Sequence, residues 1–75
     1  MTDRAPQLPT DRVLGELRAR IDAGEWSAGQ RLPSVGELAE RHSTSRATMS
    51  KVIRILASEG VLTVIPSWGT FRADA

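Results

Sequence analysis

The chain has 75 residues, of which 40% are hydrophobic, 25% charged and 4% aromatic, with a formal net charge of +1. That length holds one small domain, able to bury only about 60% of its unfolded surface, and it argues against a substrate-enclosing enzyme fold. With no cysteine and one histidine there is no disulfide framework and no thiolate or all-protein zinc site, and charges interrupt the apolar runs too often for a membrane span.

Residues 1–9 contain Pro6 and Pro9 without periodic apolar spacing and are expected to form a flexible arm. They lack the apolar run and small-residue cleavage pattern of a signal peptide, so a cytoplasmic location is the default expectation. From Thr10 the pattern changes. Val13, Leu14, Leu17 and Ile21 form one helical stripe, with Thr10 as expected N-cap and Gly24 just past the C-cap, which predicts a first helix over about 11–23.

Residues 25–33 form a connector punctuated by Gly29 and Pro33, which Trp26 and Leu32 can anchor to a core. Arg31 and Leu32 are able to pair there as a very short strand. Ser34-Val35-Gly36-Glu37 has the spacing of a capping box, in which the serine oxygen and the glutamate exchange hydrogen bonds with each other's amides. A second helix therefore starts at about Val35, with Val35, Leu38 and Ala39 on its apolar face. Ser43-Thr44-Ser45 then competes with helical hydrogen bonding and ends it.

Ser45 is placed to cap a third helix running from Arg46 to about Glu59. Met49, Val52, Ile53 and Leu56 fall on one side of it, and Ala47, Ser50, Lys51, Arg54 and Ser58 on the other. Gly60 stops this helix. Residues 61–65 are apolar and β-branched enough for a strand, Pro66-Ser67-Trp68-Gly69 makes a turn, and Thr70-Phe71-Arg72 returns antiparallel. Helix, short strand, helix, tight turn, helix and hairpin in that order describe an α+β, mainly α, winged helix-turn-helix over residues 10–75.

Charge is divided unevenly along this pattern. Residues 1–40 hold five arginines against seven acids, a balance of −2, whereas residues 41–75 hold five basic residues against two acids, a balance of +3. Arg41, Arg46, Lys51 and Arg54 follow Glu40 with no acid before Glu59, so any basic face lies in that stretch. A charge run alone is more often a solvated helix face than a nucleic-acid site.

The residues that raise that reading are Ile21-x-x-Gly24-x-Trp26-x-x-Gly29-Gln30-Arg31-Leu32-Pro33-Ser34, then Glu37-Leu38-Ala39, Ser45-Arg46-Ala47-Thr48, Leu56-x-x-Glu59-Gly60-Val61-Leu62 and Gly69-Thr70-Phe71. In this order and spacing, over about residues 10–72, the sequence resembles the DNA-binding domain of GntR-family bacterial transcription regulators. The resemblance implies sequence-specific binding to double-stranded DNA at a palindromic operator and regulation with repression as the expected output. It also implies a nucleoid-associated location and no cofactor.

Three departures accompany it. Gly36 and Ser50 stand where many members carry DNA-contacting arginines, and Ser67-Trp68-Gly69 stands where the family has a Gly-x-Gly wing tip. Weaker binding, or recognition of a different sequence, is the expected consequence. The family's effector and dimerisation domain is not among these residues, so the chain is expected to be one domain of a longer protein or a single-domain regulator. Its expected state is a monomer in solution that pairs as a dimer on DNA.

In the proposed site Arg46, at the start of the third helix, has the planar fork that donates two hydrogen bonds to guanine O6 and N7 in the major groove. Ala47 can meet a thymine methyl, and Ser50 a base edge or a phosphate. Thr44, Ser45 and Thr48 offer hydroxyls to phosphates beside the amides of the helix N-terminus. Lys51 and Arg54 lie further along and reach the backbone. Arg31 either touches a phosphate or stabilises the connector. At the wing, Ser67 fits a minor groove while Trp68 either lies along the sugar-phosphate edge or folds back on the strands, the first being expected. His42 reads as a helix-end residue and Trp26 as a core anchor. No Ser, His and acid arrangement or carboxylate pair implies catalysis. The alternative is a winged-helix protein-interaction module whose basic helix docks on an acidic partner.

Overall fold

The apolar stripes of three short helices bury one another, and a hairpin closes the open side of the core. The computed structural model describes residues 8–74 as α1 (Pro9–Asp22), α2 (Val35–Arg41), α3 (Arg46–Ser58), β1 (Leu62–Ile65) and β2 (Gly69–Arg72). The two strands are antiparallel, with Leu62 opposite Arg72 and Ile65 opposite Gly69. Val13, Leu17 and Ile21 from α1, Leu38 and Ala39 from α2, and Met49, Val52, Ile53 and Leu56 from α3 are buried together with Trp26, Leu32 and Leu62. Each of these side chains stabilises the fold by about 1.5 to 3 kcal/mol when fully buried, alanine excepted. No described helix is long and apolar enough to cross a membrane.

The start of α1 differs from the expectation. Leu8, not Thr10, is the N-cap; it is extended and provides no side-chain hydrogen bond, and Pro9 opens the helix. Proline at the first helical position has its φ preset and no amide to satisfy, so it competes successfully with a threonine cap one residue later. The amide of Arg12 donates to Leu8 O at 3.1 Å and closes the first turn. Leu8 and Pro9 therefore belong to the folded domain rather than to the arm, and residues 1–7 lie outside the described residues.

All three helices end in the same way. In α1, Gly24 N donates to Ile21 O at 3.0 Å and Glu25 N to Arg20 O at 3.1 Å. In α2, Ser43 N donates to Glu40 O at 3.1 Å and Thr44 N to Ala39 O at 2.9 Å; in α3, Gly60 N donates to Ala57 O at 3.0 Å and Val61 N to Leu56 O at 2.9 Å. Each pair is a Schellman motif, which requires a left-handed residue just past the C-cap. Gly24 (φ 84°) and Gly60 (φ 81°) provide it at two ends, while the turn between α2 and α3 uses Ser43 at φ 51°.

The connector is tied to the hairpin rather than left loose. Arg31 forms an isolated antiparallel bridge with Phe71, and Leu32 N donates to Thr70 O at 2.8 Å. The expected short strand is thus reduced to a single bridge beside β2. Trp26 is buried as expected, and its carbonyl accepts from Arg72 Nη1 at 2.6 Å.

Candidate nucleic-acid interface

Two serines set the ends of the helix-turn-helix. Ser34 Oγ accepts from the Glu37 amide at 3.2 Å and starts α2; the return half of the expected capping box has no counterpart among the described hydrogen bonds. Ser45 Oγ accepts from the Thr48 amide at 3.1 Å and donates to Thr48 Oγ1 at 3.1 Å. Both hydroxyls are thereby held at the amino end of α3, where unpaired amides carry partial positive charge.

Burial on one side of α3 dictates what the other side presents. Met49, Val52, Ile53 and Leu56 are all in the core, so Arg46, Ala47, Lys51 and Arg54 face solvent, with Thr44, Thr48 and Ser50 half-buried beside them. α3 contains no acidic residue. These seven predicted site residues, with Ser45, form one continuous surface from the interhelical turn along the exposed side of α3.

The partners of the arginines separate the two halves of the molecule. Arg12 bonds Glu16 at 2.9 Å, Arg18 bonds Glu59 at 2.8 Å, Arg20 meets Glu25 at 3.4 Å, and Arg72 is held by Trp26 O. Arg18 holds the Glu59 carboxyl below its usual range through their hydrogen bond. Among the described residues, none of Arg31, Arg41, Arg46, Lys51 or Arg54 has a hydrogen bond or ion pair to another side chain or to the backbone. The cations of α1 are paired within the domain, and those from 31 to 54 have no partner among the described residues.

The wing lies next to this surface. A groove of about 330 Å³ runs between α3 and the hairpin, with Ser50, Arg54 and Ala57 on one wall and Val64 and Thr70 on the other. The hairpin turns where Trp68 N donates to Ile65 O at 2.9 Å, with Pro66 second in the turn and Ser67 third at φ 69°. That position requires positive φ and normally takes glycine or asparagine. Trp68 is 68% exposed and Val64 49%; the indole does not fold back on the strands. Arg31, predicted from the connector, is brought to the wing: its Nε lies 2.8 Å from where a Cβ on Gly69 would be.

Two contacts of the site were not expected from the sequence. The guanidinium of Arg46 lies against Gly36, with Nη2 2.9 Å from an ideal Cβ position. His42, expected only to end a helix, caps α2 from a buried position and its Nδ1 lies 2.8 Å from Glu16 Oε1. The spacing of Arg12 and Glu16, four residues apart on α1, is the one part of that contact visible in the sequence. Among the described residues no group of three or more acidic or histidine side chains is arranged to hold a metal ion.

The whole of this architecture corresponds to one known pattern: the family model of bacterial regulatory proteins, gntR family, matches residues 9–71. The chain belongs to the gntR family. Among its relatives, the histidine utilization repressor of Klebsiella aerogenes is 33% identical over 70 residues, covering 93% of this chain and 29% of that protein. The probable fructoselysine utilization operon transcriptional repressor of Escherichia coli is 38% identical over 71 residues, again covering 93% of this chain and 29% of that protein. The gntR chain described here thus spans less than a third of the length of these relatives. In three dimensions it resembles the AraR DNA-binding domain solved in complex with operator ORE1, with a TM-score of 0.88 and 29% identity over 97% of this chain and 89% of that one.

Proposed function

We propose that this gntR-family domain reads double-stranded DNA sequence-specifically, by inserting the amino-terminal half of α3 in a major groove and laying the wing against the neighbouring minor groove. The observation that carries this reading is the segregation of arginines. Those of α1 are paired with acids of the domain itself, while Arg46, Lys51 and Arg54 have no partner among the described residues and stand on the exposed side of an acid-free helix. Free cations on one face provide the counterion-releasing contacts on which nucleic-acid affinity depends.

Within that surface Arg46 reads a base, Ala47 packs on a thymine methyl, and Ser50 touches a base edge or phosphate. Thr44 and Thr48 donate to phosphates together with Lys51, Arg54 and Arg31, and Ser45 does so by turning its hydroxyl proton from Thr48 Oγ1 to the phosphate. Ser67 enters the minor groove and Trp68 lies along its sugar-phosphate edge. The output is transcriptional repression at a palindromic operator in the nucleoid, with two copies pairing on half-sites about one helical turn, or a multiple of it, apart. The relatives' names and the operator complex of AraR support this output.

Selection of preferred duplexes from random DNA, followed by binding at several salt concentrations, tests the proposal. A defined motif with a steep, linear dependence of log affinity on log salt is expected. Equal retention on all duplexes, or retention only on acidic polypeptides, would overturn it and favour a protein-docking module.

A further inference from the structure

Gly36 and Arg46 meet across the helix-turn-helix. Gly36 is the second residue of α2, and Arg46 is the first of α3. Helical side chains lean toward their own amino terminus, which aims Arg46 back at α2. A Cβ on Gly36 would lie 2.9 Å from Nη2 of Arg46 and 3.2 Å from both Cζ and Nε. Three guanidinium atoms at such similar distances put the face of the group, rather than its edge, against the α2 backbone. It occupies the space that a side chain at position 36 would need.

The seat leaves the donors of Arg46 free, because no described protein acceptor bonds its guanidinium. A cation beside the amino end of a helix is electrostatically disfavoured. Here Glu37 and Glu40 line the same depression as Gly36 and Arg46 and offset that repulsion. The arginine is thus located by shape and by diffuse charge, with its planar set of N–H groups still available to a base.

We infer that Gly36 is the positioning residue for Arg46: its missing side chain seats the guanidinium and so sets which base pair the arginine reads. This rests on the DNA-reading function proposed above. Any side chain at position 36 displaces the guanidinium. The displacement costs the fold little, because the group pushed aside is the end of a flexible chain, and alanine is a better helix former than glycine.

The test compares the 75-residue chain with Gly36→Ala, Arg46→Ala and the double variant. In the free protein, nuclear Overhauser contacts between the Gly36 α-protons and the Arg46 side chain are expected, and Gly36→Ala should move the Arg46 Nε–H resonance. Absence of those contacts overturns the seat without reference to DNA. In duplex selection, Gly36→Ala should reduce preference about fivefold or more at the same base pair that Arg46→Ala relaxes, the lower range for a bidentate contact. It should leave other positions and the salt slope unchanged and have no further effect on base preference in the Arg46→Ala background. A base-selective effect of Arg46→Ala with none from Gly36→Ala, or an effect of Gly36→Ala that persists without Arg46, overturns the inference and leaves the DNA reading intact. A chain that shows the seat but has no duplex preference overturns both.

Discussion

Nδ1 of His42 lies 2.8 Å from Oε1 of Glu16, joining the end of α2 to the middle of α1. Around this contact Arg12 Nη1 bonds Glu16 Oε2 at 2.9 Å, and Arg12 Nη2 donates to Ser43 O at 3.3 Å. The turn that orients α3 is therefore fastened to α1 from both its first residues. His42 is only 4% exposed, and its Nε2 has no partner among the described residues, so Glu16 satisfies the one bonded nitrogen of a buried ring.

Removing that partner should be expensive for a small fold. Glu16→Ala is expected to destabilise by about 1 to 3 kcal/mol, the cost of orphaning a buried polar group, and to lower Tm by about 4 to 8 °C per kcal/mol. The Glu16 carboxyl is held below its usual range by its hydrogen bond to His42 and then by that to Arg12. A depressed carboxyl contributes stability above its ordinary value of about 4.3, and loses it as pH falls through the lower folded value. Glu16→Gln keeps an acceptor for His42 but removes the titration, so its stability should fall less steeply below about pH 4. Chemical denaturation across pH checks this, and an acid limb identical to that of the unmodified chain would contradict it.

Ser43 occupies a backbone conformation that Gly24 and Gly60 occupy at the other two helix ends. A non-glycine residue in the left-handed region is strained by about 1 to 2 kcal/mol, so Ser43→Gly should stabilise by about 1 kcal/mol, part of the gain being lost to backbone entropy. Gly60→Ala should destabilise by a comparable amount. A Cβ at Gly60 meets nothing within 4 Å, which leaves the backbone as the sole cause. Urea midpoints that move in these opposite directions at constant m-value are expected; a destabilised Ser43→Gly variant would indicate that the serine side chain matters more than its φ.

Arg46 and Lys51 share the exposed side of α3 but stand at different distances from its amino end. Arg46→Ala should weaken binding to the selected duplex and relax preference at one base pair by about 1 to 3 kcal/mol. Lys51→Ala should weaken all duplexes alike and reduce the salt slope by about one. Titrations of a matched and a single-mismatch duplex at several salt concentrations separate the two effects. Equal loss on both duplexes from Arg46→Ala would remove it from the reading position.

Trp26 is buried and Trp68 exposed, so the two indoles report separately. With Trp26→Phe, emission from Trp68 should be red-shifted in the free protein and change when a duplex binds. Trp68→Ala should alter stability by no more than about 0.5 kcal/mol, as an exposed position does, and lower duplex affinity. Blue-shifted emission insensitive to DNA would leave Ser67 as the wing's contact.

Element order, core and the amino-terminal caps of α2 and α3 were legible in the sequence because each depends on neighbours a few residues away. Met49, Val52, Ile53 and Leu56 announce a buried face by spacing alone, and Ser34 and Ser45 announce helix starts by their own hydrogen-bonding chemistry. The start of α1 was misplaced by two local signals in competition, a threonine cap and a proline at the first helical position, between which composition does not choose. What only the tertiary structure decided are relations between elements: Arg46 on Gly36, Arg31 beside Gly69, His42 against Glu16, and which arginines are consumed by the fold. Those depend on the distance and angle between packed helices. A shift of a few ångströms there makes or breaks a hydrogen bond while leaving every sequence pattern unchanged.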